Sequence, residues 1–186
     1  MPTPAQHKDA LVRTTMRLFR RQGYASTGLQ QILAESGAPK GSLYYYFPGG
    51  KEELAVAAVQ MASSMILAML RDLADRHGDP AEFVAAYCRK MAGWMAESDF
   101  RSGSPITTVM LETAPDNAAI TQAGLAAYES WIALIGDVFS TAGMPADIAV
   151  KRAESLITAM EGALILARVR LSDQPILDQA SRVRDW

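Results

Sequence analysis

One segment, SGAPKGSLYYYFPGGKEEL at residues 36–54, constrains the fold more than any other part of the chain. Gly37 suits a turn that needs a positive φ, and Pro39 fixes φ at the start of a new helix. Leu43 and Phe47 lie four residues apart, so they share one helix face and are suited to pack on a core. The segment therefore predicts a short helix with one buried face, followed by a second helix.

The other face of this short helix carries small, hydroxyl-bearing, aromatic and cationic groups. Such groups contact phosphates and base edges, so the pattern indicates a DNA-recognition helix. Taken alone, so many aromatic side chains also fit a piece of hydrophobic core. We expect phosphate contacts from Thr27, Tyr45, Tyr46 and Lys51, and base contacts from Ala38, Lys40, Gly41, Ser42 and Tyr44, with Pro39 beside them.

Helical periodicity dominates the rest of the chain, and no convincing run alternates with the period of a β-strand. The sequence therefore predicts an all-α fold. Helices over about 4–22 and 28–36, the second capped by Ser26 or Thr27, join the recognition helix in a helix-turn-helix domain at residues 1–50. A C-terminal helical bundle follows at 51–186. Its helices are predicted over about 51–77, 80–97, 105–113, 116–141, 145–171 and 174–182, between Gly- and Pro-containing breakers.

The net charge of −2 conceals a split between the two predicted domains. Residues 1–51 contain seven Lys or Arg against two acids, or +5, whereas residues 52–186 contain eleven against eighteen, or −7. A basic end on an acidic body is expected when one end alone meets phosphate. The first helix also carries a basic face, where either DNA phosphate or solvent can offset the repulsion of its charges. That face consists of Arg13, Arg17, Arg20 and Arg21.

Residues 8–54 resemble the DNA-binding region of the tetracycline-repressor family of bacterial transcriptional regulators. The match is dense rather than a single short motif, although Tyr46 stands where many members carry His. The glycine doublet at 49–50, GSPI at 103–106 and EGALILAR at 161–168 are similar to the branch of lincomycin- and multidrug-efflux repressors. The matching residues are Phe19, Gly23, Tyr24, Thr27, Ile32, Gly37, Lys40, Gly41, Leu43, Tyr44, Phe47, Lys51 and Leu54.

This resemblance implies a homodimeric transcriptional repressor that a small molecule releases from double-stranded operator DNA. One recognition helix carries few reading groups, so a dimer on a pseudo-palindromic operator is expected. Similar regulators include activators and proteins that sense no ligand. Two other classes stay open: a helical small-molecule-binding protein without specific DNA recognition, and a small helical enzyme with Glu161 as acid or base.

The larger predicted domain is rich in methionine and tryptophan. Methionine repacks easily, so these residues suit an adaptable cavity for a small apolar or aromatic effector. Such stripes at helical spacing also occur in ordinary cores, and effector binding as such follows mainly from the resemblance. The candidate lining residues are Met61, Met65, Met69, Met91, Trp94, Met95, Phe100, Met110, Trp131, Met160 and Glu161.

The run LITAMEGALILA contains both a polar interruption and an apolar seam. Glu161 needs a partner if it is buried, and a ligand's cation or hydroxyl, an arginine at the dimer interface, and water all stay open. Because the family pairs its subunits through a four-helix interface, the seam and the last helix are the predicted dimer interface. The seam residues are Leu156, Met160, Leu164 and Ala167.

Signals for catalysis, metal binding and membrane insertion are poor. His7 and His77 have no companions at metal-ligand spacing, and Cys88 is expected to be an inert small residue. Gly50-Lys51 is not a phosphate loop, because Tyr45 occupies the place of its first glycine. We therefore predict no enzyme, no cofactor and no metal. A single cysteine, and no apolar run that approaches about 18 residues, favour a cytoplasmic protein that does not contact a membrane.

Overall fold

The structure, a computed structural model, describes residues 4–182 and contains ten α-helices in that range. No β-strand occurs among these residues, which confirms the predicted all-α class. The helices are α1 (Pro4–Gln22), α2 (Leu29–Ser36), α3 (Lys40–Tyr46), α4 (Lys51–Arg76), α5 (Pro80–Glu97), α6 (Thr107–Thr113), α7 (Ala118–Thr141), α8 (Ala146–Arg170), α9 (Gln174–Leu177) and α10 (Gln179–Arg182).

Breakers in the sequence place the helix ends well, with one exception. The single helix predicted over 174–182 is two short helices, α9 and α10, separated at Asp178. Asp178 keeps right-handed helical dihedrals (φ −63°, ψ −22°), so the chain continues to coil across this interruption. The difference is therefore a local break rather than a change of direction.

Two compact units divide the chain. Unit 1 contains Met1–Ser64 and Ser104–Ala127, and unit 2 contains Met65–Gly103 and Tyr128–Trp186. Unit 1 thus includes α6 and the first part of α7, which the sequence analysis assigned to the C-terminal bundle. The predicted domain boundary at residue 50 stays a prediction, because the units follow packing rather than chain order.

The core of unit 1 is built by α1, α2, α3 and the start of α4. Leu43 and Phe47 are buried in it, as predicted. Gly37 ends α2 in the left-handed conformation (φ +67°) and donates its N–H to the Leu33 carbonyl, so the predicted turn is also confirmed. The buried members of this core are Leu11, Val12, Leu18, Ile32, Ala38, Leu43, Phe47 and Leu54.

The start of α2 differs from the prediction. Gly28 occupies the N-cap position, and no side chain caps the helix. Thr27 is fully buried and its hydroxyl donates to the Gly23 carbonyl (2.7 Å), closing the turn that precedes α2. The predicted cap by Ser26 or Thr27 is therefore wrong. The Thr27 hydroxyl bonds to the preceding turn instead of to an N–H group of α2.

Unit 2 buries one face of α5 and one face of α8. On α8 the predicted dimer seam is part of this core: Leu156, Met160, Leu164 and Ala167 are all at most 5% exposed. That interface assignment is therefore corrected, since side chains already covered by their own chain have no surface for a second subunit. The periodicity of α8 located its apolar residues, but it could not show which of the two apolar faces the chain itself covers.

Helix α4 is long and apolar enough to cross a membrane by length and composition alone. The expectation that no apolar run approaches membrane length is corrected by this helix. Buried residues recur along α4 at intervals of four, as in the core helix of a soluble protein. These residues are Leu54, Ala58, Ala62, Ile66 and Leu70.

Candidate DNA-binding site

The recognition helix α3 presents a largely exposed face. Pro39 is its N-cap, while Leu43 in its middle is fully buried. On the other side, Tyr45 is 78% exposed and Tyr44 is 49% exposed. Lys40 and Gly41 are exposed at the helix start. A cation, a hydroxyl-bearing aromatic pair and a residue without a side chain therefore share one accessible surface, where a large partner can approach closely.

The first turn of α1 extends this surface. A cleft of about 410 Å³ is lined by His7, Gly41, Ser42, Tyr45 and Tyr46. In addition, the Lys8 ammonium lies 5.9 Å from the centre of the Tyr46 ring. Neither His7 nor Lys8 was predicted as a DNA contact, because the sequence shows the charges of α1 only as a total and as an arginine face.

Aromatic packing fixes the two last tyrosines of α3 relative to each other. The Tyr45 and Tyr46 rings meet edge to face, with centroids 4.8 Å apart and an interplanar angle of 85°. Tyr46 is partly buried against the unit 1 core, whereas Tyr45 projects into solvent. Tyr45 is therefore placed for contact outside the chain, and Tyr46 supports it from behind.

Two predicted contacts lie inside the protein. Thr27 is fully buried, and its hydroxyl is used within its own turn. Ala38 is 7% exposed and belongs to the unit 1 core. We therefore correct the prediction for both: their side chains support the helix-turn-helix rather than face a partner.

Lys51 lies beside the turn that joins α1 to α2. Its ammonium is 4.2 Å from the centre of the Tyr24 ring and donates to the Ala25 carbonyl at 3.5 Å. Burial lowers the pKa of Lys51, and the negative charge of Glu112 opposes that shift. Lys51 is therefore a half-buried cation held in place by unit 1 at the start of α4.

Acidic partners offset part of the arginine face of α1. Arg13 pairs with Asp9 at 2.7 Å, and Arg17 pairs with Glu35 of α2 at 2.8 Å. Hydrogen bonds from Gln31 and Arg17 lower the pKa of the Glu35 carboxyl. DNA phosphate or solvent was expected to offset these charges. For Arg13 and Arg17, carboxylates of the protein itself do so.

The candidate effector residues are divided between the two units. Met61 packs against the unit 1 core, and Met110 contacts Gly124 within the same unit. The other candidates belong to unit 2, where Met91, Met95, Met160 and Trp131 are buried and Met65 is 47% exposed. Their role in effector binding stays a prediction.

Polar groups accompany the aromatic side chains in unit 2. Burial raises the pKa of Tyr87, and the negative charge of Glu161 raises it further. The Tyr128 and Trp131 rings meet edge to face, with centroids 5.4 Å apart, and Tyr128 also contributes to the shift at Tyr87. Glu161 and Trp131 were predicted as candidates but both tyrosines were missed, because only the fold brings Tyr87 near the Glu161 carboxylate and Tyr128 near Tyr87.

Cys88 is buried in α5, and burial raises the pKa of its thiol to about 12. Because the thiolate is the reactive form, we expect Cys88 to resist a disulfide reagent such as DTNB at pH 8 in the folded protein. Labelling kinetics with and without denaturant check this expectation. Fast labelling of the native protein, comparable to that of the unfolded chain, would contradict it.

Within residues 4–182, no group of three or more His, Cys, Asp and Glu side chains is arranged to hold a metal ion. The polar chemistry of the candidate site is thus that of an exposed helix face and a neighbouring lysine. It suits contact with phosphates and base edges.

Family comparisons agree with this geometry. Residues 11–58 match the family model of bacterial regulatory proteins of the tetR family. Residues 80–182 match the C-terminal domain of LmrA/YxaF-like transcriptional regulators. This chain belongs to the tetracycline-repressor family. The resemblance drawn from residues 8–54, and its finer placement near the lincomycin-repressor branch, are both confirmed.

Individual relatives agree over nearly the whole chain. The transcriptional regulator LmrA of Bacillus subtilis is 33% identical over 96% of this chain and 95% of its own. A TetR regulatory protein of Rhodobacter sphaeroides has a TM-score of 0.82 at 25% identity, over 94% of this chain and 95% of its own. CifR, solved with operator DNA, has a TM-score of 0.80 at 23% identity, over 96% and 95%.

These relatives are transcriptional regulators rather than enzymes, as the sequence analysis predicted. This member of the tetracycline-repressor family is therefore a DNA-binding transcriptional regulator with a helix-turn-helix. The regulators of this family are soluble DNA-binding proteins.

Proposed function

We propose that the protein is a cytoplasmic, homodimeric repressor that binds a pseudo-palindromic operator and is released by a small apolar or aromatic effector. The exposed face of α3 carries the proposal. Lys40, Gly41, Tyr44 and Tyr45 are accessible there, while Leu43 fixes the helix from behind. A regulator that reads a major groove needs a rigidly held helix whose polar side chains are accessible to base edges.

Phosphate contacts would come from residues around the reading face. Lys51 is held near the α1–α2 turn, and α2 begins at Gly28 without a side-chain cap, so its first amides have no side-chain acceptor. Helix N-termini of this kind bind phosphate oxygens. The binding of operator DNA by the structurally similar CifR supports this assignment.

The outer face of α8 is the surface we propose for the second subunit. Ile165 is 54% exposed and Val169 is 76% exposed, and Leu166 is also exposed beside them. Thr158 and Gly162 continue the same face towards the N-terminus, and the space around Gly162 is open. Apolar and small side chains on one helix face allow two helices to approach closely, and a second copy would bury them.

Unit 2 is the proposed location of most of the effector site. Trp131, Met91 and Met95 provide apolar surface, and Glu161, Tyr87 and Tyr128 provide polar groups. Helix α4 passes from unit 1 into unit 2 between Ser64 and Met65, so it connects the two functions along the chain. A shift from mostly binding-competent to mostly incompetent states needs about 5.5 kcal/mol of differential effector affinity.

Release of a preformed protein–DNA complex by small molecules tests the effector proposal. We expect aromatic or apolar compounds to release labelled upstream DNA saturably, and Glu161→Gln to shift their half-release concentrations while DNA affinity without effector stays unchanged. If a broad panel of such compounds releases nothing, or if Glu161→Gln alters DNA affinity alone, the proposed effector site is wrong.

A further inference from the structure

Glu112 connects a distant segment of the chain to the candidate DNA-binding site. It lies on α6, in the 104–127 segment of unit 1, which sequence analysis placed in the C-terminal bundle. We propose that Glu112 is a positioning residue for DNA binding, which holds the α1–α2 turn so that the Lys51 ammonium meets a phosphate. This inference rests on the proposed function, in which Lys51 contacts the DNA backbone.

The Glu112 carboxylate is fitted closely to the turn. Its Oε2 accepts a hydrogen bond from the Ala25 N–H at 2.5 Å. A Cβ added at Gly23 would collide with the Oε1 of the same carboxylate. Gly23 also has φ +83°, a left-handed backbone conformation that favours glycine. The absence of a side chain at Gly23 therefore leaves room for the carboxylate in the position that it occupies.

Lys51 approaches the same turn from its other side. The Ala25 N–H donates to Glu112, and the Ala25 carbonyl accepts from the Lys51 ammonium at 3.5 Å. One residue of the turn is thus bracketed by an acid and a base. The Tyr24 ring beneath the ammonium belongs to the same turn, so any shift of the turn moves two of the groups that hold Lys51.

A second bond ties the same segment to the neighbour of Lys51. Asn117, just before α7, donates its side-chain N–H to Glu52 at 2.5 Å, and its side-chain oxygen accepts from the Ile120 N–H at 2.9 Å. The first two residues of α4 are therefore both linked to the 104–127 segment. Glu52 bonds to it directly, and Lys51 is linked to it through Ala25, which also bonds to Glu112. Glu112 and Asn117 together fix where the Lys51 ammonium stands relative to α3.

A purely electrostatic role for Glu112 predicts the opposite sign. An exposed carboxylate near a phosphate repels it, so its removal would then strengthen DNA binding, most clearly at low salt. A positioning role predicts weaker binding, because the loss of an ordered phosphate contact outweighs the relief of a screened repulsion. The two roles are separable by the sign of the change.

The test is a salt-series titration of the full-length protein on its upstream duplex, with four variants. Glu112→Ala is expected to weaken binding several-fold and to reduce the slope of log K against log salt by about 0.9, the value of one phosphate contact. Lys51→Ala is expected to do the same, and the double variant to bind no more weakly than Lys51→Ala alone. Glu112→Gln keeps an oxygen that accepts the Ala25 N–H, so it should restore most of the affinity and the slope.

Glu97→Ala, which removes an exposed carboxylate at the end of α5, is the matched control and should change neither quantity. Tighter binding by Glu112→Ala would overturn the proposal in favour of repulsion. Weaker binding with an unchanged slope, or additive losses in the double variant, would leave Glu112 a merely structural residue. If the wild type does not prefer its upstream duplex, the proposed function fails separately, because the slope on scrambled duplex still reports phosphate contacts.

Discussion

Lys40→Ala is expected to weaken binding to the upstream DNA by about ten- to a hundredfold. Lys40 is exposed at the start of α3, and a base contact of this kind contributes about 1–3 kcal/mol of discrimination. Because the side chain takes no part in the unit 1 core, the melting temperature and the oligomeric state should not change. Fluorescence anisotropy with specific and scrambled duplexes measures the loss, which should fall mainly on the specific one.

A lysine of unit 2 provides the matched control for this variant. Lys90 is exposed on α5, and Lys90→Ala removes the same charge far from α3 in the sequence. We expect it to leave both affinities within about twofold, as for an exposed charge that contacts nothing in the complex. Equal losses in the two variants would mean that only total charge matters, and that α3 does not read bases.

Ile165→Glu is expected to convert the proposed dimer to a monomer and thereby to reduce operator affinity by more than a hundredfold. The substitution places a charge at the centre of the exposed face of α8, where burial against a second copy would be expensive. A monomer engages one half-site, so it loses the second half-site's contacts entirely. Analytical ultracentrifugation at micromolar protein measures the assembly, and anisotropy measures the DNA affinity.

Leu125→Glu is the control for Ile165→Glu. Leu125 is 49% exposed on α7, close to the 54% of Ile165, so the same charge enters at a comparable position. It should leave the dimer intact. A dimeric Ile165→Glu, or a wild-type monomer that still binds the operator tightly, would show that the outer face of α8 is not the interface.

The helices and the recognition segment were predictable because their signals are local. Gly37 and Pro39 mark a turn and a helix start through backbone preferences that act on single residues. Leu43 and Phe47 share a face by spacing alone, and the structure buries both. Features of this kind depend on residues within one or two turns, so tertiary packing did not alter them.

The predictions that were wrong assigned buried side chains to an exposed surface. Thr27 lies shortly before α2 and Ala38 shortly before α3, but the structure buries both, Ala38 in the unit 1 core. On α8, Leu164 faces the core while its neighbour Ile165 is exposed. Periodicity separates the faces of a helix, but when both carry apolar residues it cannot say which face meets the same chain and which meets another.

The role proposed for Glu112 was invisible in sequence for a different reason. It lies 87 residues from Ala25, its hydrogen-bond partner, and nothing in the local pattern of α6 indicates that this helix packs in unit 1. The same holds for Tyr87, which neighbours Glu161 only in the folded chain. Long-range partners of this kind require the fold.

The most direct test of the account is a salt-series titration of the wild-type protein against its own upstream DNA, with scrambled duplex of equal length alongside. The account predicts saturable binding with strong preference for the upstream duplex, and a steep fall of log K with log salt on both, since phosphate contacts release counterions. Equally weak binding to both duplexes, lost at moderate salt, would contradict it. The protein would then have a basic helical end without an operator, and the effector site proposed in unit 2 would have to explain its function.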